Sequence, residues 1–471
     1  MQNRVPRQSG GHLLDLPATA IAGAIRRGEA RAEDVVGESL RRARAIQDDL
    51  NAFTLICEQR ALAAARRADE AVRAGLPTGA LHGVPFAAKD MTPTAGDLTT
   101  LGSWSTGEGV PERTALCIRR LELEGAILIG KTTTPEFAYS SFTNSPRWGM
   151  TRNPHDRTCT SGGSSGGSAV AVATGVVPLA EGSDMGGSVR IPAAFCGVVG
   201  LKPSLGRIPM TILPSVFDNI SHFGPLARTV GDAIAFMAAT AGPSDEDIQS
   251  LPLVFDTQRA RSGNLAGRRF ALSIDLGFYA VEPAVESGIR AAVRAMEEAG
   301  ARIDEVPLVW TRAVADQWFD LWCVFMSAYF GKSLDDHRER MDPAVVSMME
   351  RGHAMDATSY KRVELLRTAM WQDMRKLFET YDALLCPTCA ITAPPVGATD
   401  DDFVGTLPDG RYNGLDMTCP FNLVPQCPAL SLPVPSMGSL PVGLQIVGKR
   451  FADEDVLAMA LGAERAMAPQ Q

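Results

Sequence analysis

Lysine and histidine are scarce in this sequence. Its 45 basic residues include only seven lysines, and its six histidines form no H-x-x-x-H or H-E-x-x-H pair that could bind a metal ion. Acidic residues outnumber basic ones by 54 to 45, so the formal charge is −9. Because no cationic excess is present to neutralise phosphates, we expect no nucleic-acid partner. We also expect neither a metal nor any other cofactor.

Long apolar runs are absent as well. The longest, residues 169–180, is interrupted by Gly175 and Pro178 and is shorter than the ~20 apolar residues that cross a bilayer. The first residues are polar, unlike those of a secretory signal. The nine cysteines, an odd number, are spread along the chain without the density of a disulfide framework. These features predict a cytoplasmic protein with reduced thiols and no membrane partner.

Two of the cysteines, Cys386 and Cys389, form a C-x-x-C pair. Such a pair can take part in redox chemistry or bind zinc. Here it follows a strand-like segment instead of opening a helix, and no second cysteine or histidine pair stands at zinc-ligand spacing. We therefore interpret these two cysteines as buried thiols.

Alternating strand and helix patterns indicate an α/β fold. Helical spacing of apolar residues covers 32–50, and a helix-like segment at 114–124 leads into an apolar strand at 126–130. The alternation returns with a strand at 270–276, a helix at 283–299 and a strand at 302–306. Apolar residues make up 45% of the chain and charged residues 21%, as in a globular protein. We predict a single large domain, residues 1–471, built on a central mixed, mostly parallel β-sheet that helices cover on both faces.

This single domain divides into parts that differ in composition and in predicted secondary structure. They are N-terminal helices (1–75), a core that carries the glycine-rich motifs (76–240), further strands and helices (241–308 and 381–471) and a helical insertion (309–380). The insertion holds four of the six tryptophans. Two interpretations of it remain open: a buried pair of helices, or a helical cap that lines an apolar substrate pocket.

Two clusters of glycine and serine are the most unusual feature of the sequence. They are TSGGSSGGS at residues 160–168 and EGSDMGGSVRIP at 181–192, and apolar sequence surrounds both. Since flexible linkers are solvent-exposed, clusters with apolar flanks are predicted to be loops held within the core. Neither cluster contains the lysine of a phosphate-binding loop. The first matches G-x-S-x-G around Ser164, but no strand precedes it, which excludes the nucleophile elbow of α/β-hydrolases.

A serine nucleophile without a histidine partner needs another base. Lys89 follows the apolar, strand-like segment VPFAA, which favours burial of its side chain. Burial removes water from the ammonium group, lowers the pKa of the lysine and makes the neutral amine available as a proton acceptor. The alternative, a solvated surface charge, stays open on these residues alone.

Three motifs together resemble the amidase signature family of serine hydrolases. They are GVPFAAKD at residues 83–90, GGSSGGS at 162–168 and GSDMGGSVRIPAAFCGVVGLKP at 182–203, and weaker likeness extends over nearly the whole chain. The resemblance implies the amidase signature fold and a Ser–cis-Ser–Lys triad. Carried over residue by residue, the triad is Ser188 as the nucleophile, Ser164 as the bridging serine on a cis peptide bond, and Lys89 as the base.

The second cluster supplies the expected oxyanion hole, formed by backbone N–H groups. Asp184 and Arg190 carry charges inside an apolar segment, so we expect them to pair, and Ser165 is expected to bond loop backbone. Threonine is commonest in the family at the first position of the turn, where this chain has methionine. The predicted oxyanion donors are the N–H groups of Met185, Gly186, Gly187 and Ser188.

The resemblance implies an amidase that cleaves the C–N bond of a linear amide through an acyl-enzyme on Ser188. Family members act on apolar and aryl amides, and some cleave esters or carbamates (urethanes). A rival within the family is the glutamine-hydrolysing subunit of a tRNA-dependent amidotransferase, whose pattern usually has Asp where this chain has Pro135. The aromatic residues at 310–330 also suit an apolar or aryl group better than glutamine. We therefore predict a hydrolase of small apolar or aryl amides, with carbamates and esters as further candidates.

The candidate residues for the substrate pocket are large and apolar or aromatic, and core packing is the alternative role for each. They are Phe137, Tyr139, Phe142, Met210, Leu213, Phe217 and Trp322. The partner that we expect is a small-molecule amide or carbamate, and the sequence is compatible with a homodimer.

Overall fold

The computed structural model describes residues 12–434 and 438–468. Along these residues helices and strands alternate. The helices are α1 Ala18–Arg26, α2 Ala32–Leu50, α3 Glu58–Arg73, α4 Leu116–Leu123, α5 Gly166–Ala173, α6 Arg190–Cys196, α7 Val230–Thr240, α8 Thr257–Ala260, α9 Pro283–Glu298, α10 Ala313–Phe330, α11 Ser333–His337, α12 Pro343–Ala354, α13 Ala357–Leu377, α14 Pro420–Leu423 and α15 Asp453–Ala466. The strands are β1 Phe53–Ile56, β2 Pro85–Lys89, β3 Ile127–Thr132, β4 Asn144–Ser145, β5 Gly149–Met150, β6 Leu179–Asp184, β7 Val199–Lys202, β8 His222–Ala227, β9 Arg269–Leu272, β10 Arg302–Glu305, β11 Ala383–Pro387, β12 Ala429–Val434 and β13 Val442–Gly448.

Eleven of the described strands form one mixed sheet. Their order is β1-β3-β2-β6-β8-β7-β12-β13-β11-β9-β10, and β4 pairs with β5 separately. Parallel pairs lie towards the two flanks, in β3-β2-β6 and in β11-β9-β10. The pairs from β6 to β11 through the middle are antiparallel, as is β1 with β3 at one edge. The predicted mixed sheet is confirmed, and its parallel pairs include the strand–helix–strand segments that the sequence pattern identified.

Both faces of this sheet are covered by other parts of the protein. Every residue of β2, β3, β11 and β13 is buried. Because successive side chains of a strand point to opposite faces, such strands need packing partners on both sides. Helices α5, α6, α7, α9 and α15 contact the strands. The largest apolar core joins these helices to the sheet, and α1, α2 and α3 pack onto it.

The predicted helical insertion consists of α10, α11, α12 and α13. Helices α10 and α12 pack together around Trp322, Met326 and Met349. Phe137, which lies outside the insertion, belongs to the same apolar cluster and stacks on Phe330 with ring centroids 4.5 Å apart. The insertion is therefore a set of packed helices that contacts a loop following β3.

The predicted helices and strands agree with the structure to within a few residues, with one clear exception. The strand predicted over 270–276 ends at Leu272. The chain turns there, since the Asp275 carboxylate accepts the N–H of Gly277 at 2.8 Å and Leu276 has a φ of +50°. Among the described helices, none combines the length and the apolar character needed to traverse a lipid bilayer.

Candidate active site

Lys89 is the last residue of β2, and its side chain is fully buried. Its Nζ donates hydrogen bonds to the Oγ of Ser164 at 2.7 Å and to the Oγ of Ser183 at 3.0 Å. Burial lowers the pKa of Lys89 to about 7, against the opposing effect of the carboxylates of Glu181 and Asp184. The neutral amine is therefore accessible near neutral pH, where it can accept a proton.

Ser164 lies in the loop that leads into α5, and it is fully buried. The peptide bond between Gly163 and Ser164 is cis, as the resemblance implied. Gly163 leaves no room for a side chain, because a Cβ there would lie 2.6 Å from the carbonyl oxygen of Ser140. The loop is also held by Thr143, whose hydroxyl accepts the N–H of Gly166 at 3.0 Å. The first glycine-rich cluster is thus a packed loop of the core and not a linker.

Ser188 lies between β6 and α6, next to this loop. Its carbonyl oxygen accepts the N–H of Ser165 at 3.1 Å, which joins the backbones of the two serine-containing segments. Ser188 is partly exposed, whereas Ser164 and Lys89 are fully buried. Its hydroxyl makes no hydrogen bond to any residue in the described part of the chain. The structure therefore links Lys89 to Ser164 by a side-chain hydrogen bond, and it links the segment of Ser188 to the segment of Ser164 through the backbone.

A buried ion pair between Asp184 and Arg190 anchors the turn that carries Ser188. Nη2 of Arg190 lies 2.8 Å from Oδ1 of Asp184, and Nε lies 3.0 Å from Oδ2. Arg190 also donates to the side-chain oxygens of Gln445 at 2.7 Å and of Asn422 at 2.6 Å. Burial acts to raise the pKa of Asp184, but the guanidinium and its hydrogen bonds outweigh that effect and hold the pKa well below its usual range. Both side chains are therefore ionised, and their nitrogen and oxygen atoms all have hydrogen-bonding partners.

Asp184 also determines which N–H groups of the turn are free. It accepts the N–H of Gly187 at 2.9 Å. This N–H is therefore engaged by Asp184 in the structure, so Gly187 differs from the other three predicted donors. The N–H groups of Met185, Gly186 and Ser188 make no hydrogen bond within the described residues. These three remain as candidate oxyanion donors.

Ser165 bonds loop backbone, as expected. Besides its N–H contact to Ser188, its hydroxyl lies 3.4 Å from the carbonyl oxygen of Ser183. It is fully buried and makes no contact with Lys89 within the described hydrogen bonds. Its contacts fix the position of one segment against the other.

Two tryptophans of α10 hold that helix against loops of the site. The Nε1 of Trp318 donates to the carbonyl oxygen of Met185 at 3.0 Å, and that of Trp322 donates to Tyr139 at 3.1 Å. A Cβ on Gly186 would lie 2.1 Å from a ring atom of Trp318. The indole of Trp318 therefore lies directly on the backbone of the turn, and α10 places an aromatic surface beside the candidate oxyanion donors.

Four of the seven predicted pocket residues lie in one apolar cluster on this side of the site. The cluster also contains Met185 and Trp318, which both contact a second apolar cluster beneath α13 and α14. The four are Phe137, Tyr139, Leu213 and Trp322.

The other three predicted pocket residues lie outside this cluster. Phe142 packs with Phe195 in a separate cluster against α6. Met210 packs against the main core, and its N–H donates to Asp247 at 2.9 Å. Phe217 is 72% exposed in a surface turn, so its ring cannot line a buried pocket.

The sequence analysis missed several residues that hold the site together: Glu181, Ser183, Trp318, Thr418, Asn422 and Gln445. Trp318 precedes Trp322 by four residues, so the two lie on one helical face, and this spacing could have identified it. The hydroxyl of Thr418 donates to the carbonyl oxygen of Gly186. Thr418 carries no local signal, because its partner is more than 200 residues away in the sequence.

The C-x-x-C pair takes no part in this arrangement. Cys386 and Cys389 are buried, free thiols, as interpreted from the sequence. The amide of Gln445 donates to the Sγ of Cys386 at 3.3 Å. Within 12–434 and 438–468, no group of three or more His, Cys, Asp or Glu side chains is arranged to hold a metal ion.

Known proteins resemble this chain over almost its full length. An acylamidase of Rhodococcus erythropolis is 34% identical over 95% of this chain and 95% of its own length. A glutamyl-tRNA(Gln) amidotransferase subunit of Lachnospira eligens is 32% identical, with 96% of this chain and 98% of that protein covered. The crystal structure of a bacterial aryl acylamidase of the amidase signature family superposes with a TM-score of 0.89 at 28% identity, covering 96% of each chain.

The sequence profile of the Amidase family matches residues 34–457. This span contains both glycine-rich loops, the strand that ends at Lys89 and most of the sheet that brings them together. A match of this length, together with relatives that share both sequence and fold end to end, shows that the chain belongs to the amidase family, among the amidase signature hydrolases.

Proposed function

We propose that this amidase hydrolyses small apolar or aryl amides, with carbamates and esters as further substrates of the same chemistry. The observation that carries the proposal is the contact of Trp318 with the turn that bears Ser188. The indole ring covers Gly186 and donates to Met185, so an aromatic surface adjoins the candidate oxyanion donors. A substrate carbonyl bound there would have its apolar substituent against this surface.

The proposed reaction begins with the attack of Ser188. Neutral Lys89 accepts the proton of Ser164 while Ser164 takes the proton of Ser188, and the Oγ of Ser188 attacks the substrate carbonyl carbon. The 2.7 Å hydrogen bond between Lys89 and Ser164 supports the first of these transfers. The free N–H groups of Met185, Gly186 and Ser188 stabilise the oxyanion, and fixed donors of this kind contribute ~3–4 kcal/mol each.

The tetrahedral intermediate then releases the amine. Ser164 returns a proton, supplied by the Lys89 ammonium, to the leaving nitrogen, and the C–N bond breaks as the acyl-enzyme forms. Water attacks the resulting ester while the same relay takes its proton. The relay then returns that proton to the Oγ of Ser188 as the C–O bond breaks, which releases the carboxylic acid and restores neutral Lys89. Carbamates and esters pass through equivalent steps, since each presents a carbonyl carbon with a leaving group.

The surroundings of the turn favour an apolar or aryl group over a polar one. Phe137, Leu213 and Trp322 lie in the apolar cluster that Met185 and Trp318 join. Two of the similar proteins are an acylamidase and an aryl acylamidase. Both lines of support point to an amide with an apolar acyl or aryl substituent as the substrate.

Glutamine hydrolysis in a tRNA-dependent amidotransferase is the second candidate function. The 32% identity to an amidotransferase subunit over 96% of this chain favours it. Pro135, which stands where that subunit usually has Asp, and the apolar cluster beside the turn favour the free-standing hydrolase. The two candidates differ in a measurable way, because the amidotransferase role requires partner subunits and the hydrolase role does not.

The test is a substrate panel assayed with the isolated chain. It comprises anilides, primary amides including glutamine, aryl esters and aryl carbamates, with Ser188→Ala as the blank for background hydrolysis. The proposal predicts the highest kcat/KM for anilides or other apolar amides without any added protein. Glutamine hydrolysis that arises only after the other amidotransferase components are added would instead establish the second candidate.

A further inference from the structure

Glu181 is a fully buried carboxylate beside the proposed base. It lies on β6, which pairs in parallel with β2 so that Ala180 is opposite Ala87. Its Oε2 accepts the backbone N–H of Lys89 at 2.9 Å, and its Oε1 accepts the hydroxyl of Thr92 at 2.9 Å. Each oxygen therefore has a donor. Burial raises the pKa of Glu181, and these two hydrogen bonds together with the amines of Lys89 and Lys131 oppose that rise and favour the charged form.

The same face of β6 makes a second contact with Lys89. Ser183 follows Glu181 by two residues, so both side chains lie on one face of the strand, and Ser183 accepts a hydrogen bond from the Lys89 amine at 3.0 Å. The carbonyl oxygen of Glu181 accepts the hydroxyl of Ser168 at 2.8 Å. Ser168 belongs to α5, which begins two residues after Ser164. Residues on this face of β6 therefore bind both the backbone N–H and the side-chain amine of Lys89. Glu181 also links β2 to α5, the helix that follows Ser164.

Buried charges of both signs surround this contact. The amines are those of Lys89 and Lys131, and the carboxylates are those of Asp90 and Glu181, all fully buried. The Lys131 amine, on β3, lies 4.0 Å from the Asp90 carboxylate, which is its nearest acidic partner. Glu181 is the carboxylate of this set that accepts a hydrogen bond from Lys89, and its charge raises the pKa of the Lys89 amine against the effect of burial. The other ionisable groups that act on the set are, in chain order, Cys57, Asp97, Cys117 on α4, Arg147 and Asp184 at the end of β6.

We propose that Glu181 is a positioning residue for Lys89. Its carboxylate fixes the backbone at Lys89 and supplies the buried negative charge against which the amine gains and loses its proton. A buried amine without such a charge would stay neutral well below neutral pH. It could then accept a proton during attack but could not hold it for return to the leaving nitrogen. The inference rests on the proposed role of Lys89 as the base.

Glu181→Gln tests this role in the full-length chain. The amide keeps the shape and an acceptor for the Lys89 N–H but removes the charge. We expect the low-pH limb of kcat/KM for an anilide to move down by about one pH unit, because loss of an opposite charge lowers the pKa of an amine. We also expect kcat to fall further for the anilide than for a p-nitrophenyl ester, whose leaving group needs no proton.

The matched control is Glu464→Gln. Glu464 on α15 also accepts a backbone N–H, that of Val230 at 2.9 Å, but lies outside the site. In this variant the low-pH limb of kcat/KM should stay at the same pH, and the ratio of anilide to ester turnover should be unchanged.

Glu181→Asp provides a second variant in case Glu181→Gln does not fold, as judged by circular dichroism. It keeps the charge but withdraws it by one methylene, so we expect a smaller shift of the limb in the same direction. A folded Glu181 variant whose limb is unshifted overturns the proposal. Retained activity in Lys89→Ala would instead refute the proposed function, so the two failures are distinguishable.

Discussion

The indole N–H of Trp318 donates to the carbonyl oxygen of Met185 at 3.0 Å, which ties the helical insertion to the turn that bears Ser188. The carbonyl of the next residue, Gly186, is held by the hydroxyl of Thr418. With two consecutive carbonyls bound, the N–H groups of the turn keep a fixed direction. One aromatic residue therefore contributes both to the shape of the proposed pocket and to the orientation of the candidate oxyanion donors.

Trp318→Phe separates these two contributions. It keeps an aromatic ring but loses the hydrogen bond to Met185, and a bond of this kind contributes ~0.5–1.5 kcal/mol, or roughly 2- to 10-fold in rate if it acts only in the transition state. We expect kcat to fall for anilides and esters alike. Trp318→Ala should in addition lower kcat/KM for aryl substrates relative to short aliphatic amides. Phe319→Ala, at the next and more exposed position of α10, should change neither, and an equal effect there would contradict the assignment.

Gly186→Ala should inactivate the enzyme while leaving the fold intact. The added Cβ would lie 2.1 Å from the ring of Trp318, so either the turn or the indole has to move. Steady-state kinetics with the double variant Gly186→Ala/Trp318→Ala should recover part of the lost kcat, because the clash is removed. Gly37→Ala is the control, since nothing lies within 4 Å of the added atom on α2. No recovery in the double variant would show that the contact with Trp318 is not the cause.

Arg190→Met should destabilise the whole protein. The substitution leaves the Asp184 carboxylate buried without its guanidinium, and breaking a buried pair in this way costs ~3–5 kcal/mol. Urea unfolding followed by circular dichroism measures the loss. Arg259→Met breaks a pair with Asp455 in which the arginine side chain is 57% exposed, so we expect a loss of ~0–1 kcal/mol. Equal losses for the two variants would refute the anchoring role of Arg190.

The protonation state of the Lys89 amine predicts the pH dependence of the reaction. In the proposed mechanism its neutral form is the base, so kcat/KM should be maximal at higher pH and fall as the pH drops through about 7, the pKa that burial gives it. His222 cannot produce this limb, because burial lowers its pKa to about 3. Burial also lowers the pKa of Lys202 to about 7, but its amine donates to the carbonyl of Cys427 at 2.9 Å. Lys202→Met should therefore keep the limb, and Lys89→Ala should abolish most activity.

Local patterns in the sequence were enough to predict much of the fold. The periodic apolar residues of α2 and α9 identified both helices, and the apolar run before Lys89 indicated a buried strand. The alternation of strands and helices pointed to the parallel pairs on the flanks. It could not predict the antiparallel middle of the sheet, because β7 and β12 pair although more than 200 residues separate them in the chain.

The site was predictable where its residues lie within the two motifs, and not where it depends on distant partners. Arg190 and Asp184 are six residues apart, but Asn422 and Gln445 are 232 and 255 residues from Arg190. Phe217 shows the opposite failure, since its residue type suggested a pocket wall but its loop lies at the surface. The sequence also does not reveal that the Asp184 carboxylate turns back to accept the N–H of Gly187.

The central claim is that Ser188 is acylated with Lys89 as the base. The most direct measurement is intact-protein and peptide mass spectrometry after rapid mixing with a slowly deacylating p-nitrophenyl ester, at pH values on both sides of about 7. The account predicts one acyl group on the peptide that contains Ser188, forming faster at the higher pH and absent from Ser188→Ala. An acyl group on another residue, or undiminished turnover by Ser188→Ala, would contradict it.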